Sequence, residues 1–80
     1  MATNIAEVIS ATNRNIRIGI ADKNTTRNGL ARASGLAPST FNRKLDGHAE
    51  FTLKELGQIA DALDLELKDI LPQDLIADAA

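Results

Sequence analysis

The sequence predicts an all-α protein, a compact bundle of about five helices. Apolar residues recur every three or four positions through most of the chain, as on one face of an amphipathic helix, and no segment shows the alternation of a half-buried strand. Residues that start and stop helices divide this pattern into short segments. A chain of 80 residues has room for one small core and for no second domain.

The first helix is predicted over residues 4 to about 22. Its apolar residues at helical spacing are Ile5, Val8, Ile9, Ile16 and Ile20. The segment TNRN between them has poor helix propensity, so the pattern allows one long helix or an interrupted one. The segment DKNTT then ends the helix.

A short second helix and a third helix are predicted to follow, with only a tight turn between them. Thr26 is a suitable N-cap for a helix over roughly 27–34. Gly35 ends that helix, because glycine readily takes the left-handed conformation that closes one. The third helix begins at Pro38, whose fixed φ suits a first helical position, and runs to about Leu45.

The third helix is predicted to have two unlike faces. Phe41 and Leu45 are four residues apart and therefore share an inner face, which packs against Leu30 and Ala31 of the second helix. Gly47 stops the helix. The side chains left facing outward are Ser39, Thr40, Asn42, Arg43 and Lys44. Two short helices joined at a Gly turn form a helix-turn-helix, and a polar, cationic outer face suits the DNA major groove.

Two further helices complete the prediction. Thr52 and Glu55 form a capping box that opens the fourth helix. The apolar stripe of this helix comprises Leu53, Leu56, Ile59, Ala60 and Leu63. A short fifth helix runs from about Glu66 to Leu71, and Pro72 ends it. Residues 1–72 are expected to form the domain, with 73–80 as a tail that adds one more helical turn or frays.

Composition excludes several classes of protein and site. The chain has no cysteine and a single histidine, so neither a disulfide framework nor a thiolate zinc site is available, and no metal or cofactor is expected. No apolar run approaches the roughly 18 residues of a membrane span, and no secretory leader is evident, so we expect a cytoplasmic protein. The sequence shows no nucleophile–base pair and no phosphate loop, so we expect neither an enzyme nor a small-molecule substrate.

Charge is divided along the chain although the net charge is only −2. Residues 1–47 carry seven basic and three acidic side chains, whereas residues 48–80 carry two basic and eight acidic ones. This division indicates either a surface for a polyanion on the first half of the molecule or two sets of solvated helix faces.

From about Asn24 to Leu71 the chain resembles the lambda-repressor-like helix-turn-helix family, which includes phage repressors, Cro proteins and Xre-type regulators. The resemblance is carried by Ala31, Gly35, Phe41 and Gly47, and by the closing segment LKELGQIADALDL. It implies a bundle of about five helices that binds double-stranded operator DNA through the second and third helices.

The resemblance also implies roles for individual residues. Arg27 would bind a backbone phosphate, at a position where the family usually has Gln. The residues expected in the groove are Pro38, Ser39, Asn42 and Arg43, and those expected at its sugar-phosphate walls are Thr40 and Lys44. Ser34 and Lys44 occupy positions that are commonly apolar in the family.

Two functions remain open from the sequence. The first is a transcriptional regulator of the phage-repressor or Cro type, expected to pair on its operator as a homodimer. The second is an antitoxin or anti-repressor module that binds a protein partner through its C-terminal segment. The apolar residues left for dimerization or for completing the core are Leu67, Ile70, Leu71, Leu75 and Ile76.

Overall fold

The computed structural model describes residues 4–72, which form five α-helices without a strand. The helices are α1 (Ile5–Asp22), α2 (Arg27–Ala33), α3 (Pro38–Leu45), α4 (Leu53–Ala62) and α5 (Leu67–Ile70). The predicted all-α class is confirmed, and each boundary predicted for α1, α2, α3 and α5 lies within one residue of the observed one. The predicted tail 73–80, with Leu75 and Ile76, lies outside the described residues.

The first helix is continuous, which settles the question left open by its TNRN segment. Thr12 Oγ1 donates a hydrogen bond to Val8 O at 2.8 Å within the helix. Asn13 Nδ2 donates to Lys44 O at 3.4 Å, and Asn15 Nδ2 donates to Ile70 O at 3.0 Å. These carbonyls lie in the last turns of α3 and α5, and Lys44 O also accepts from Gly47 N at 3.1 Å. The residues with poor helix propensity therefore attach α1 to two other helices.

The four longer helices end in the same way. The second residue after each helix adopts a positive φ, and the next backbone N–H bonds to a carbonyl five residues earlier, as in a Schellman motif. Gly35 (φ 79°) and Gly47 (φ 90°) serve α2 and α3, as the sequence predicts. Asn24 (φ 55°) and Asp64 (φ 59°) serve α1 and α4, because Asn and Asp tolerate this conformation better than other non-glycine residues.

The core lies where α2 and α3 meet α1 and α4. Its buried members are Ile16, Leu30, Ala31, Phe41, Leu45, Ile59 and Leu63. Phe41 lies against the half-buried Phe51 with the ring centroids 5.7 Å apart. Ile70 of α5 is buried and Leu67 is half-buried, so Ile70 completes the core.

Two residues assigned to apolar stripes do not pack in the core. Leu53 was predicted to lie on the inner face of α4, but it is 66% exposed. At about 100° per residue it lies about 120° around the helix from the buried Ile59, at the first turn of the helix. Ile5, also at a first turn, is 62% exposed. Periodicity does not show how far the neighbouring helices cover the first turns of α1 and α4.

Two helical glycines differ in the space around them. A Cβ atom added at buried Gly19 of α1 would lie 2.9 Å from Leu63 Cδ1, whereas one added at Gly57 of α4 would have no atom within 4 Å. We expect Gly57→Ala to raise the free energy of unfolding by about 0.5–1 kcal/mol through helix propensity. Gly19→Ala should leave the protein about 1–3 kcal/mol less stable than Gly57→Ala, because the core is overpacked. Urea unfolding checks both values, and equal gains would contradict the close approach of α1 to Leu63.

Candidate nucleic-acid interface

The third helix separates an apolar face from a polar one, as the sequence predicts. Phe41 and Leu45 are 0% and 1% exposed. Around the rest of the helix, Ser39, Thr40 and Arg43 are exposed, and Pro38 and Asn42 are half-buried. Ser39 and Asn42, three residues apart, share one side of the helix with Arg43, four residues beyond Ser39. We call the surface formed by Pro38, Ser39, Asn42 and Arg43 the α3 face.

Local bonds within the second helix and its N-cap explain two unusual residues. Ser34, at a position that the family commonly fills with an apolar residue, is buried and donates its hydroxyl to Leu30 O at 2.7 Å. Thr26 caps α2 by accepting from Gly29 N at 3.0 Å. A Cβ at position 29 would lie 3.0 Å from Thr26 Oγ1 and 3.1 Å from Thr25 Oγ1. The glycine therefore leaves room for the N-cap.

A network of polar side chains joins the start of α2 to the α3 face. Arg27 Nη1 donates to Asp46 Oδ1 at 2.9 Å and to Asn42 Oδ1 at 3.5 Å. Asn42 Nδ2 donates in turn to Asn28 Oδ1 at 3.3 Å. The side chains of Arg27 and Asp46 are 40% and 47% exposed, so the network lies at the surface. Arg27 thus contacts Asn42 of the α3 face. This contact is additional to the phosphate contact that the resemblance implies.

Sequence reasoning did not identify Asn28 and Asp46 as part of this region. One signal was available for Asp46, which follows Asn42 by four residues and so lies one turn beyond it. No local pattern indicated Asn28, because its partner Asn42 lies 14 residues away on another helix.

The prediction that Lys44 faces outward is wrong. Its Nζ contacts both carboxylate oxygens of Glu55 on α4 at 2.7 Å, and the two side chains are each only 16% exposed. Glu55 Oε1 also accepts from Thr52 N at 2.8 Å within the predicted capping box. In this structure the position faces α4, and the lysine is accommodated there by the carboxylate opposite. Lys44 therefore joins α3 to α4.

This contact makes stability sensitive to acid. The hydrogen bond from Lys44, and next the Thr52 backbone N–H, hold the pKa of Glu55 below its ordinary value despite partial burial. A carboxyl with a lowered folded pKa contributes its full stability above the unfolded pKa and loses that contribution as the pH falls through the folded value.

We expect Lys44→Ala to lower the free energy of unfolding at neutral pH by about 1–2 kcal/mol, because a charge-assisted bond is lost. Its stability should also depend less on pH in the range where Glu55 titrates. Urea unfolding at neutral and acidic pH checks both effects. Lys54→Ala, which removes an exposed lysine from α4, is the matched control and should change stability by no more than about 0.5 kcal/mol. Equal effects of the two substitutions would contradict the structural role of Lys44.

The C-terminal end of α3 is also attached to α1. Arg17 Nη1 donates to Leu45 O at 3.3 Å, beside the bond from Asn13 to Lys44 O. Donors placed at the last carbonyls of a helix satisfy acceptors that the helix itself leaves free. The bonds of Arg17 and Asn13 to α3, together with the bond of Lys44 to α4, thus fix the position of α3 and of its polar face in the bundle.

The α3 face is chemically suited to duplex DNA. Arg43 is exposed, and within residues 4–72 its guanidinium has no hydrogen-bond or ion-pair partner. A guanidinium can bond bidentately to guanine, an asparagine amide to adenine and a hydroxyl to several base edges. In the same part of the chain no group of three or more potential metal ligands occurs. None of the helices formed by residues 4–72 combines the length and apolarity needed to cross a membrane.

Comparison with known proteins identifies the family of this domain. A family model described as a Cro/C1-type helix-turn-helix DNA-binding domain matches residues 15–74, from the second half of α1 to beyond α5. The family resemblance predicted from residues 24–71 is confirmed by this match, which extends further in both directions. A search of curated proteins and a search of solved structures returned no match.

Proposed function

The chain belongs to the Cro/C1-type helix-turn-helix DNA-binding family, and we propose that within this family it is a sequence-specific transcriptional regulator. The observation that carries the proposal is the orientation of α3. Phe41 and Leu45 are buried while Ser39 and Arg43 are exposed, so the helix offers polar donors and acceptors to a groove. A repressor or Cro-type role, phage-encoded or chromosomal, is the form of regulator that we propose.

We assign proposed contacts from the chemistry of each side chain. Arg43 bonds to guanine, Asn42 to adenine and Ser39 to a neighbouring base edge. Pro38 has no N–H to donate and contacts a thymine methyl group. Thr40 contacts the sugar-phosphate wall, and Arg27 a backbone phosphate. Lys44 is left out of this set because Glu55 holds it toward α4.

One helix-turn-helix unit spans only a few base pairs, so we propose that two copies bind half-sites about 34 Å apart, one turn of DNA. The residues available for pairing are fewer than the sequence suggested. Ile70 is buried in the domain, and Leu67 and Leu71 are half-buried. Leu75 and Ile76 lie outside the described residues.

The test is a selection of bound duplexes from random DNA, followed by titration of the selected duplex at several salt concentrations. We expect a two-fold symmetric site and an affinity that falls with salt, with a log-log slope of about 0.9 per phosphate contact. Absence of any enriched sequence, or an affinity insensitive to salt, would instead favour the protein-interaction alternative, an antitoxin or anti-repressor module on the same fold.

A further inference from the structure

The carboxamide of Asn42 is held at both of its ends by the second helix. Arg27 Nη1 donates to its oxygen at 3.5 Å, and its nitrogen donates to Asn28 Oδ1 at 3.3 Å. Asn42 is also half-buried, whereas Asn28 is exposed. The first two residues of α2 therefore both contact one residue in the middle of α3.

These partners determine which way the amide points. A guanidinium has only donors, so the group of Asn42 that faces Arg27 must be the oxygen. The nitrogen then faces Asn28 Oδ1, which accepts. Each bond uses only part of the capacity of the amide, since the oxygen has two lone pairs and the nitrogen two hydrogens. One acceptor site and one N–H remain, which is the pair that matches N6–H and N7 of adenine.

Asp46 fixes the position of Arg27 in this arrangement. The contact between Nη1 and Asp46 Oδ1 is 2.9 Å, in the range of a charge-assisted bond, and is shorter than the contact of the same nitrogen with Asn42. Asp46 is the residue directly after α3, so its carboxylate holds the guanidinium of Arg27 near the C-terminal end of this helix. The negative charge of this carboxylate also weakens the attraction of Arg27 for a phosphate.

We propose that Asn28 and the Arg27–Asp46 pair are specificity-determining positioning residues, which orient Asn42 so that the domain selects an A·T pair at one position. The proposal rests on the proposed function, because it concerns a base contact of the α3 face. Asn28 acts through the nitrogen of Asn42, and Asp46 acts through Arg27 on its oxygen. Without them the amide can rotate, and its donor and acceptor can exchange places on the base.

The first experiment uses the duplex obtained by selection and a set of duplexes that each change one base pair. Asn42→Ala identifies the position at which Asn42 acts, which we expect to be A·T. Asn28→Ala should lower the preference at that same position by about five- to tenfold, as for one net hydrogen bond. The salt slope should not change, since no charge is removed. Gln58→Ala, which removes an exposed amide from α4, is the matched control and should leave every preference intact.

Three further variants separate positioning from other effects. Asn28→Asp keeps the acceptor for Asn42 and should retain the A·T preference, although its added negative charge weakens binding to all duplexes. Asn28→Ala combined with Asn42→Ala should lose no more preference than Asn42→Ala alone. Asp46→Asn should raise the affinity for random duplexes while lowering the A·T preference.

The outcomes distinguish this inference from the proposed function. If the unsubstituted protein enriches no sequence, the proposed function fails and the inference fails with it. If it binds a selected site but Asn28→Ala keeps the full A·T preference, only the inference is overturned. A base other than adenine at the position mapped by Asn42→Ala also overturns it. Thermal unfolding of Asn28→Ala is expected to match the unsubstituted protein, so that a lost preference reports the contact with DNA.

Discussion

Replacing Phe41 with alanine is expected to lower the free energy of unfolding by about 3–5 kcal/mol, as for other buried aromatic residues. The side chain is 0% exposed and belongs to the cluster that also contains Ile16, Leu30 and Ile59. It also makes a tilted contact with the ring of Phe51. Alanine would remove all of this packing and leave a cavity at the place where α3 meets the other helices.

The size of this loss matters because the domain is small. At about 0.05–0.15 kcal/mol per residue, a chain of 80 residues has roughly 4–12 kcal/mol of stability in total. Phe41→Ala therefore removes a large fraction of the stability, and DNA binding should be lost together with the fold. Urea unfolding followed by circular dichroism measures the effect.

Two variants keep this prediction testable if Phe41→Ala does not fold. Phe41→Leu retains most of the apolar volume and should cost less, about 1–2 kcal/mol. Thr40→Ala changes the adjacent exposed residue and should alter stability by no more than about 0.5 kcal/mol. Equal losses at positions 40 and 41 would contradict the assignment of Phe41 to the buried face.

The helix boundaries could be predicted because the signals that set them are local. Thr26 and Thr52 accept from backbone N–H groups three residues later, and Gly35 and Gly47 adopt positive φ two residues after the ends of α2 and α3. Pro38 begins α3 through its own fixed φ. Each of these effects involves residues within about one helical turn, so the sequence alone contains the necessary information.

The parts of the site that were missed depend on contacts between helices. Lys44 lies three residues after Phe41 and therefore near the inner face, but this spacing does not show that Glu55 of α4 lies opposite it. The pairing of Asn28 with Asn42 likewise requires the relative placement of α2 and α3. Side-chain direction follows from helix geometry, whereas the identity of the partner follows from tertiary packing.

Replacing Arg43 with alanine is expected to weaken binding to the selected duplex by about 1–3 kcal/mol and to relax the preference at one base position. Arg43 is exposed on the α3 face and makes no side-chain bond within the described part of the chain. Its guanidinium is therefore available to bond bidentately to guanine. Folding should be unaffected, since no packing is lost.

Two comparisons decide whether Arg43 contacts a base or a phosphate. Arg43→Lys keeps the charge but lacks the planar fork, so a base contact predicts that the guanine preference is lost while the salt slope is retained. A phosphate contact predicts instead that Arg43→Ala weakens binding equally on all sequences and lowers the log-log salt slope by about one. Arg14→Ala removes the same charge from an exposed position on α1 and controls for net charge. Since Arg27 is already bonded to Asp46, a base-specific effect at Arg43 would make Arg43 the principal source of guanine selectivity on the α3 face.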